Sequence, residues 1–225
     1  MSSLKTIGLL AGKDLRIEYR SPQAFLTTLF FGLLILIVFN FAFDPGNPAT
    51  LDAAPGILWV SLLFPGIIQL NRSFRAEREE GTIHALVLAP VESGLLFLGK
   101  FLANWVLLLL VDLFVLIAFV FFYNVRLTSR FFWLPLVVIL ASIAVSAVGT
   151  LFASMVSSVS AREVLLPILL FPIIVPVVIA AVSASREIMS TGELQYVLSW
   201  IKLLTGCDIV FTVGSFMVFE YVLGE

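Results

Sequence analysis

Arg72-Ser-Phe-Arg-Ala-Glu-Arg-Glu-Glu-Gly-Thr-Ile-His-Ala-Leu-Val-Leu-Ala-Pro90 is a polar island set between two greasy runs, at about 55–70 before it and about 94–123 after it. The flanks decide the fold class. Roughly 20 consecutive apolar residues in a helix cross the ~30 Å hydrocarbon core of a bilayer, where only helices and closed barrels satisfy every backbone polar group. Over 225 residues the chain is 60% hydrophobic and 12% charged, with 21 Phe and a mean hydropathy of +1.11. Those values lie outside the range of soluble globular domains. Spans and short connections leave no room here for a soluble catalytic or nucleotide-binding domain. A net charge of −2 says little about partners, because the few charges are segregated by side of the membrane. Cys207, the single cysteine, cannot form an internal disulfide and gives no compartment signal.

The expected architecture is all-α and polytopic, one membrane domain over residues 1–225 with six spans at about 22–43, 55–70, 94–123, 131–155, 164–184 and 200–223. Pro22 suits the opening turn of the first. Asp44 to Asp52 reads as a turn-rich exit loop without Lys or Arg. The third run is long enough that it must tilt or protrude, and Lys100 near its start is expected to snorkel to the interface. The fourth is rich in small residues (Ala141, Ser142, Ala144, Ser146, Ala147, Gly149, Ala153, Ser154), which predicts a face packed on protein instead of lipid. Pro167, Pro172 and Pro176 punctuate the fifth, each removing a backbone hydrogen bond and bending the helix. A repeatedly kinked span suits a protein that changes shape, although prolines also occur in static membrane helices. Residues 185–199 read as too polar to span, and a short interfacial or re-entrant piece is expected there.

Residues 2–20 read as an amphipathic helix. At 100° per residue, Lys5, Lys13, Arg16 and Arg20 fall within an arc of roughly 80°, with Leu4, Ile7, Ala11, Leu15 and Tyr19 on the far side. Such a helix lies in the interface with its basic face toward anionic headgroups; a positive flank for the first span explains the same residues. No short apolar core precedes a small-residue cleavage site, so no cleavable signal peptide is expected. With the amino end inside, nine Lys/Arg (residues 5, 13, 16, 20, 72, 75, 78, 100 and 162) lie on the cytoplasmic side, against three (Arg126, Arg130 and Arg186) opposite. The positive-inside rule then puts both termini and the island in the cytoplasm.

Enzyme signatures are missing from the sequence. One His and one Cys form no metal-binding pair, and neither a Gly-x-Ser-x-Gly elbow nor a phosphate loop occurs. Catalytic, cofactor-binding and metal-binding residues are therefore none, and an autonomous enzyme is not expected. Asp112 reads as the one carboxylate deep in a span. It is either part of a polar path for substrate or protons, or a packing residue held neutral or paired with Lys202 or Arg162. Lys202 and Asp208 are open in the same way, since both could lie near the outer end of the last span. In the island, Gly81 permits a sharp break, Thr82 can cap a short helix, and Ile83, Leu86 and Val87 make one apolar edge that Pro90 ends. A soluble partner gripping that edge would push on both adjoining spans.

Ala54-Pro-Gly-Ile-Leu-Trp59, Phe74-Arg-Ala-Glu-Arg-Glu-Glu-Gly-Thr82, the Leu88-Ala-Pro90 stop, Gly99-Lys100 and the Pro167, Pro172, Pro176 series resemble the haem exporter B (CcmB-like) family, permease subunits of cytochrome c maturation. The likeness covers nearly the whole chain, while the Glu-x-x-x-Gly-Thr loop is shared by many type-2 ABC exporter permeases. The resemblance implies a permease subunit that works with a separate ATPase, which binds the ATP, with a haem-handling C-type membrane subunit and with a haem chaperone. It would act as a homodimer or pseudo-dimer, move haem or release haem-loaded chaperone, and contact no nucleic acid. Glu79, Glu80, Gly81, Thr82, Ile83, Leu86, Val87 and Pro90, within a cytoplasmic loop of residues 72–93, would form the coupling helix that docks on the ATPase. His84 and Asn71 stand where acidic residues are common in the family; His84 is read as a contact or surface residue, not a haem ligand. The alternatives are a type-2 ABC permease for a drug, lipid or polysaccharide, and a non-translocating membrane scaffold of the haem-handling complex.

Overall fold

A computed structural model of the chain describes residues 3–43, 48–74, 92–125, 129–157, 159, 161–190 and 194–223. Among them the regular structure is entirely helical: α1 (Ser3–Arg20), α2 (Gln23–Ala42), α3 (Pro48–Arg72), α4 (Ser93–Phe122), α5 (Trp133–Val156), α6 (Arg162–Met189) and α7 (Leu194–Leu223), with a 3-10 turn at Ser129–Phe132 before α5. Each α-helix except α1 supplies a stretch long and apolar enough to cross a membrane, six in all among the described residues. The chain is a multi-pass membrane protein.

The helices are not equally placed. In α3 and α5, 72% of the most apolar stretch is buried inside the protein, against 17% in α2 and α7, so α3 and α5 are the inner helices. Small side chains explain the place of α5. Ala141, Ser142, Ala144, Ser146, Ala147, Gly149 and Ala153 are all buried, and α5 touches α3, α4, α6 and α7. Lipid is as apolar as Leu, so close packing and interhelical hydrogen bonds must hold such a bundle together. Asn104 Nδ2 donates to Thr150 Oγ1 at 2.9 Å and Trp105 Nε1 to Ser142 Oγ at 3.0 Å, joining α4 to α5. Trp59 Nε1 donates to Ser185 Oγ at 2.9 Å between α3 and α6, and Thr28 Oγ1 to Gln69 Oε1 at 3.2 Å between α2 and α3.

Proline shapes the inner contacts. Pro65 has no N–H for the carbonyl of Ser61, and Gly32 of α2 packs against that carbonyl. A Cβ at Gly32 would lie 3.1 Å from Ser61 O and 2.9 Å from Val115 Cγ2, so glycine is what lets α2 approach α3 and α4 together. Pro167, Pro172 and Pro176 lie inside α6, which stays one continuous helix through all three.

Two expectations are corrected. Residues 48–52 are not loop: α3 begins at Pro48, whose missing N–H costs nothing in the first turn of a helix. Residues 185–199 form no separate interfacial piece either. α6 runs on to Met189 and α7 starts at Leu194, so the polar residues there occupy two helix ends. Helices of 28 and 30 residues are about 42 and 45 Å long, longer than the ~30 Å apolar slab, and their polar ends fall outside it.

Candidate functional site

The sequence places its functional weight on the loop between α3 and α4, and the residues expected to form the coupling helix (Glu79, Glu80, Gly81, Thr82, Ile83, Leu86, Val87 and Pro90) lie outside the described residues, as does His84. Both roots of that loop are described, and they meet at Lys100. Its side chain is buried instead of snorkelling to the interface. Nζ lies 2.9 Å from Asp14 Oδ2, donates to Ser73 O at 3.5 Å and sits 5.2 Å from the centre of the buried Phe74 ring. Lys13 Nζ adds a second cation 3.3 Å from Asp14 Oδ1. One ammonium therefore joins α1, the two residues just past the end of α3, and the third turn of α4. A charge out of water needs such partners, and here an ion pair, a carbonyl and an aromatic face all supply them.

α1 is docked for this contact. Gly99 gives the close approach, since a Cβ there would lie 2.6 Å from Leu10 Cβ. Ala11 is buried, whereas Lys5, Lys13, Arg16 and Arg20 are all exposed. Glu18, one turn beyond Asp14, accepts the Phe25 N–H at 2.7 Å and so caps α2, whose N-cap residue Pro22 offers no side-chain acceptor. Sequence reading missed both acids. The available signal was that Asp14 and Glu18, four apart, fall on the apolar side of the helical wheel and not among the lysines and arginines.

At the same end, Phe216 and Phe219 of α7 pack on Phe97 of α4. The carboxyl end of α7 and the docked α1 thus share one side of the bundle with the loop roots.

A second polar locus lies mid-membrane. Asp112 is 4% exposed, and its Oδ1 has no hydrogen-bond partner among the described residues. It borders a cavity of about 10 Å³, the size of one water, with Trp59, Leu62, Leu108, Ala141, Ser142 and Val145. No ion pair joins it to Lys202 among the described residues, and Lys202 is exposed. Asp208 proves equally deep. Because α7 starts at Leu194, this residue falls near mid-helix, 7% exposed, on the buried seam Val197, Leu204, Asp208, Ser215, Phe219 that faces inward. Its carboxyl lies against the Ala144 peptide without making a hydrogen bond, and Thr212 Oγ1 one turn on also lacks a partner among the described residues. Neither carboxylate oxygen of Asp208 has a hydrogen-bond partner among the described residues, so Asp112 and Asp208 are not hydrogen-bonded to each other.

The family model described as CcmB protein matches residues 5–221. Heme exporter protein B of Pseudomonas aeruginosa is 28% identical over 214 residues, covering 91% of this chain and 91% of that protein. The protein of the same name from Rhodobacter capsulatus is 30% identical over 183 residues, 79% of this chain and 81% of its own. That of Escherichia coli K12 is 29% identical over 92 residues, 41% and 42% of the two chains.

Proposed function

This chain belongs to the CcmB protein family, and on that premise we propose that it is the permease subunit of an ABC-type haem exporter in cytochrome c maturation. It sits in the bacterial inner membrane with both termini in the cytoplasm. A separate ATPase binds the ATP; a haem-handling C-type membrane subunit, a haem chaperone and a second copy of this chain complete the assembly. The chain itself carries no catalytic group. The observation that carries the coupling role is the Lys100 junction, where α1, α3 and α4 are tied at the two roots of the loop.

Closure of the ATPase pair on ATP moves the loop helix around Thr82–Pro90, and the tied roots pass that motion to α3, α4 and α1 together. The nucleotide does this only through different affinities for two permease conformations. Those conformations then differ in access or partner contacts on the far side, where haem is exported or haem-loaded chaperone released. Replacing Gly81 with Trp, or Glu79 with Lys, is expected to abolish co-purification with the ATPase while the protein still inserts in the membrane. Normal co-purification of both variants would overturn the coupling assignment.

A second reading, a membrane scaffold that assembles the haem-handling complex without a translocation path, is favoured by the filled interior beside Asp112, where the space is that of a water and not of a porphyrin. Haem counted on the outer-side chaperone separates it from export, and from a drug, lipid or polysaccharide permease.

A further inference from the structure

α1 ends at Arg20 and α2 begins at Gln23, and Ser21 and Pro22, the elbow between them, are exposed. A shallow, open surface depression runs from Arg20 and Ser21 past Gln23 to Leu26 and Phe30. Its polarity is ordered: a cation and hydroxyl at the mouth, an amide next, then two large apolar side chains one turn apart on α2. On the helical wheel, Gln23, Leu26 and Phe30 lie on one side, while Thr28, Gly32 and Leu36, the buried residues of α2, lie on the opposite side. The groove therefore faces away from the rest of the chain, with Leu26 and Phe30 54% and 67% exposed. Arg20 makes no ion pair among the described residues, because Glu18 is turned inward onto the Phe25 N–H. Arg16, exposed one turn back on the same stripe of α1, adds positive field around it.

We propose that this elbow is a binding site for one anionic phospholipid, its phosphate at Arg20 and one acyl chain along Leu26 and Phe30. Charge complementarity selects the headgroup, and the order of polarity along the groove matches the order within a lipid. A basic residue facing an anionic headgroup contributes about 1 kcal/mol, or about fivefold in affinity. The site stands apart from the transport reading, since it depends only on the elbow and on the membrane around it.

Native mass spectrometry of the full-length protein in detergent, titrated with phosphatidylglycerol or phosphatidylcholine, tests the proposal. The expected result is one retained phosphatidylglycerol held in preference to phosphatidylcholine. Arg20→Gln should weaken that retention about fivefold and Arg20→Lys should preserve it, while Leu26→Asn should weaken both lipids. Equal retention of the two lipids, or no change in Arg20→Gln, would overturn it. So would displacement by inorganic phosphate alone, which would mean a headgroup contact without a seat for the chain. A disulfide between two copies of Phe30→Cys in a Cys207→Ser background, formed in phosphatidylglycerol bilayers, would show that a second copy covers this face.

Discussion

Asp14 and Lys100 show how a few side chains tie together segments far apart in the sequence. Asp14 holds two cations, and Lys100 is buried against it. Removing one member of a buried ion pair leaves the other charge without its counterion and costs up to about 3–5 kcal/mol. Asp14→Asn is therefore expected to lower the thermal unfolding temperature in detergent and to expose α1 to protease. The pair Asp14→Lys with Lys100→Asp should recover part of the loss; an unchanged melting temperature in Asp14→Asn would contradict the junction. The sequence marked Lys100 as unusual but sent it to the lipid surface, because its partner lies on a helix whose docking no local pattern announces. Asp14 was hidden for a related reason. The basic stripe of α1 dominates the wheel, and two acids on its apolar side look like noise until α4 is placed beside them.

At the level of elements, length and composition were enough to recognise the six apolar helices. Small residues foretold the inner place of α5, since only a face without bulk lets α3, α4, α6 and α7 all reach it. Helix limits were less legible than membrane limits. Hydropathy reports where the hydrocarbon ends, whereas helices of 28–30 residues continue past it, so α6 and α7 extend into residues read as a separate polar piece. The depth of Asp208 was lost with the start of α7. Within α6, Pro172 withholds a backbone bond from Ile168 O, and the neighbouring helices must hold the segment in shape. Pro172→Ala restores that bond. If α6 bends during the working cycle, this variant should melt no lower than the parent yet fail to restore cytochrome c maturation to cells lacking the protein. Full restoration would assign the prolines to static packing.

For the whole molecule, among the described residues, α1, the end of α7 and both loop roots lie on one side of the bundle, the side that the proposed topology gives to the cytoplasm. In a Cys207→Ser background, a cysteine at position 84 is expected to react with a membrane-impermeant maleimide only when the cytoplasmic face is open, and one at position 48 only from the other face. The opposite pattern would invert the topology. The reading of the loop that carries the functional claim rests on Gly81, Thr82 and Pro90 in the sequence, and the residues expected to form its helix lie outside the described residues. What the structure adds is the mooring of that loop, which depends on contacts between distant parts of the chain and so has no signature in any one of them.

The Lys100 junction also sets an order in time. A ribosome delivers Asp14 long before Lys100, so α1 cannot take its final place while α2 and α3 are being made. α2 and α3 can already meet through Thr28 and Gln69 at that stage. The amino-terminal helix must wait on the membrane surface, its cationic stripe holding it there, until the start of α4 emerges and gives Asp14 its partner. Assembly of the bundle thus closes backward onto its own first helix.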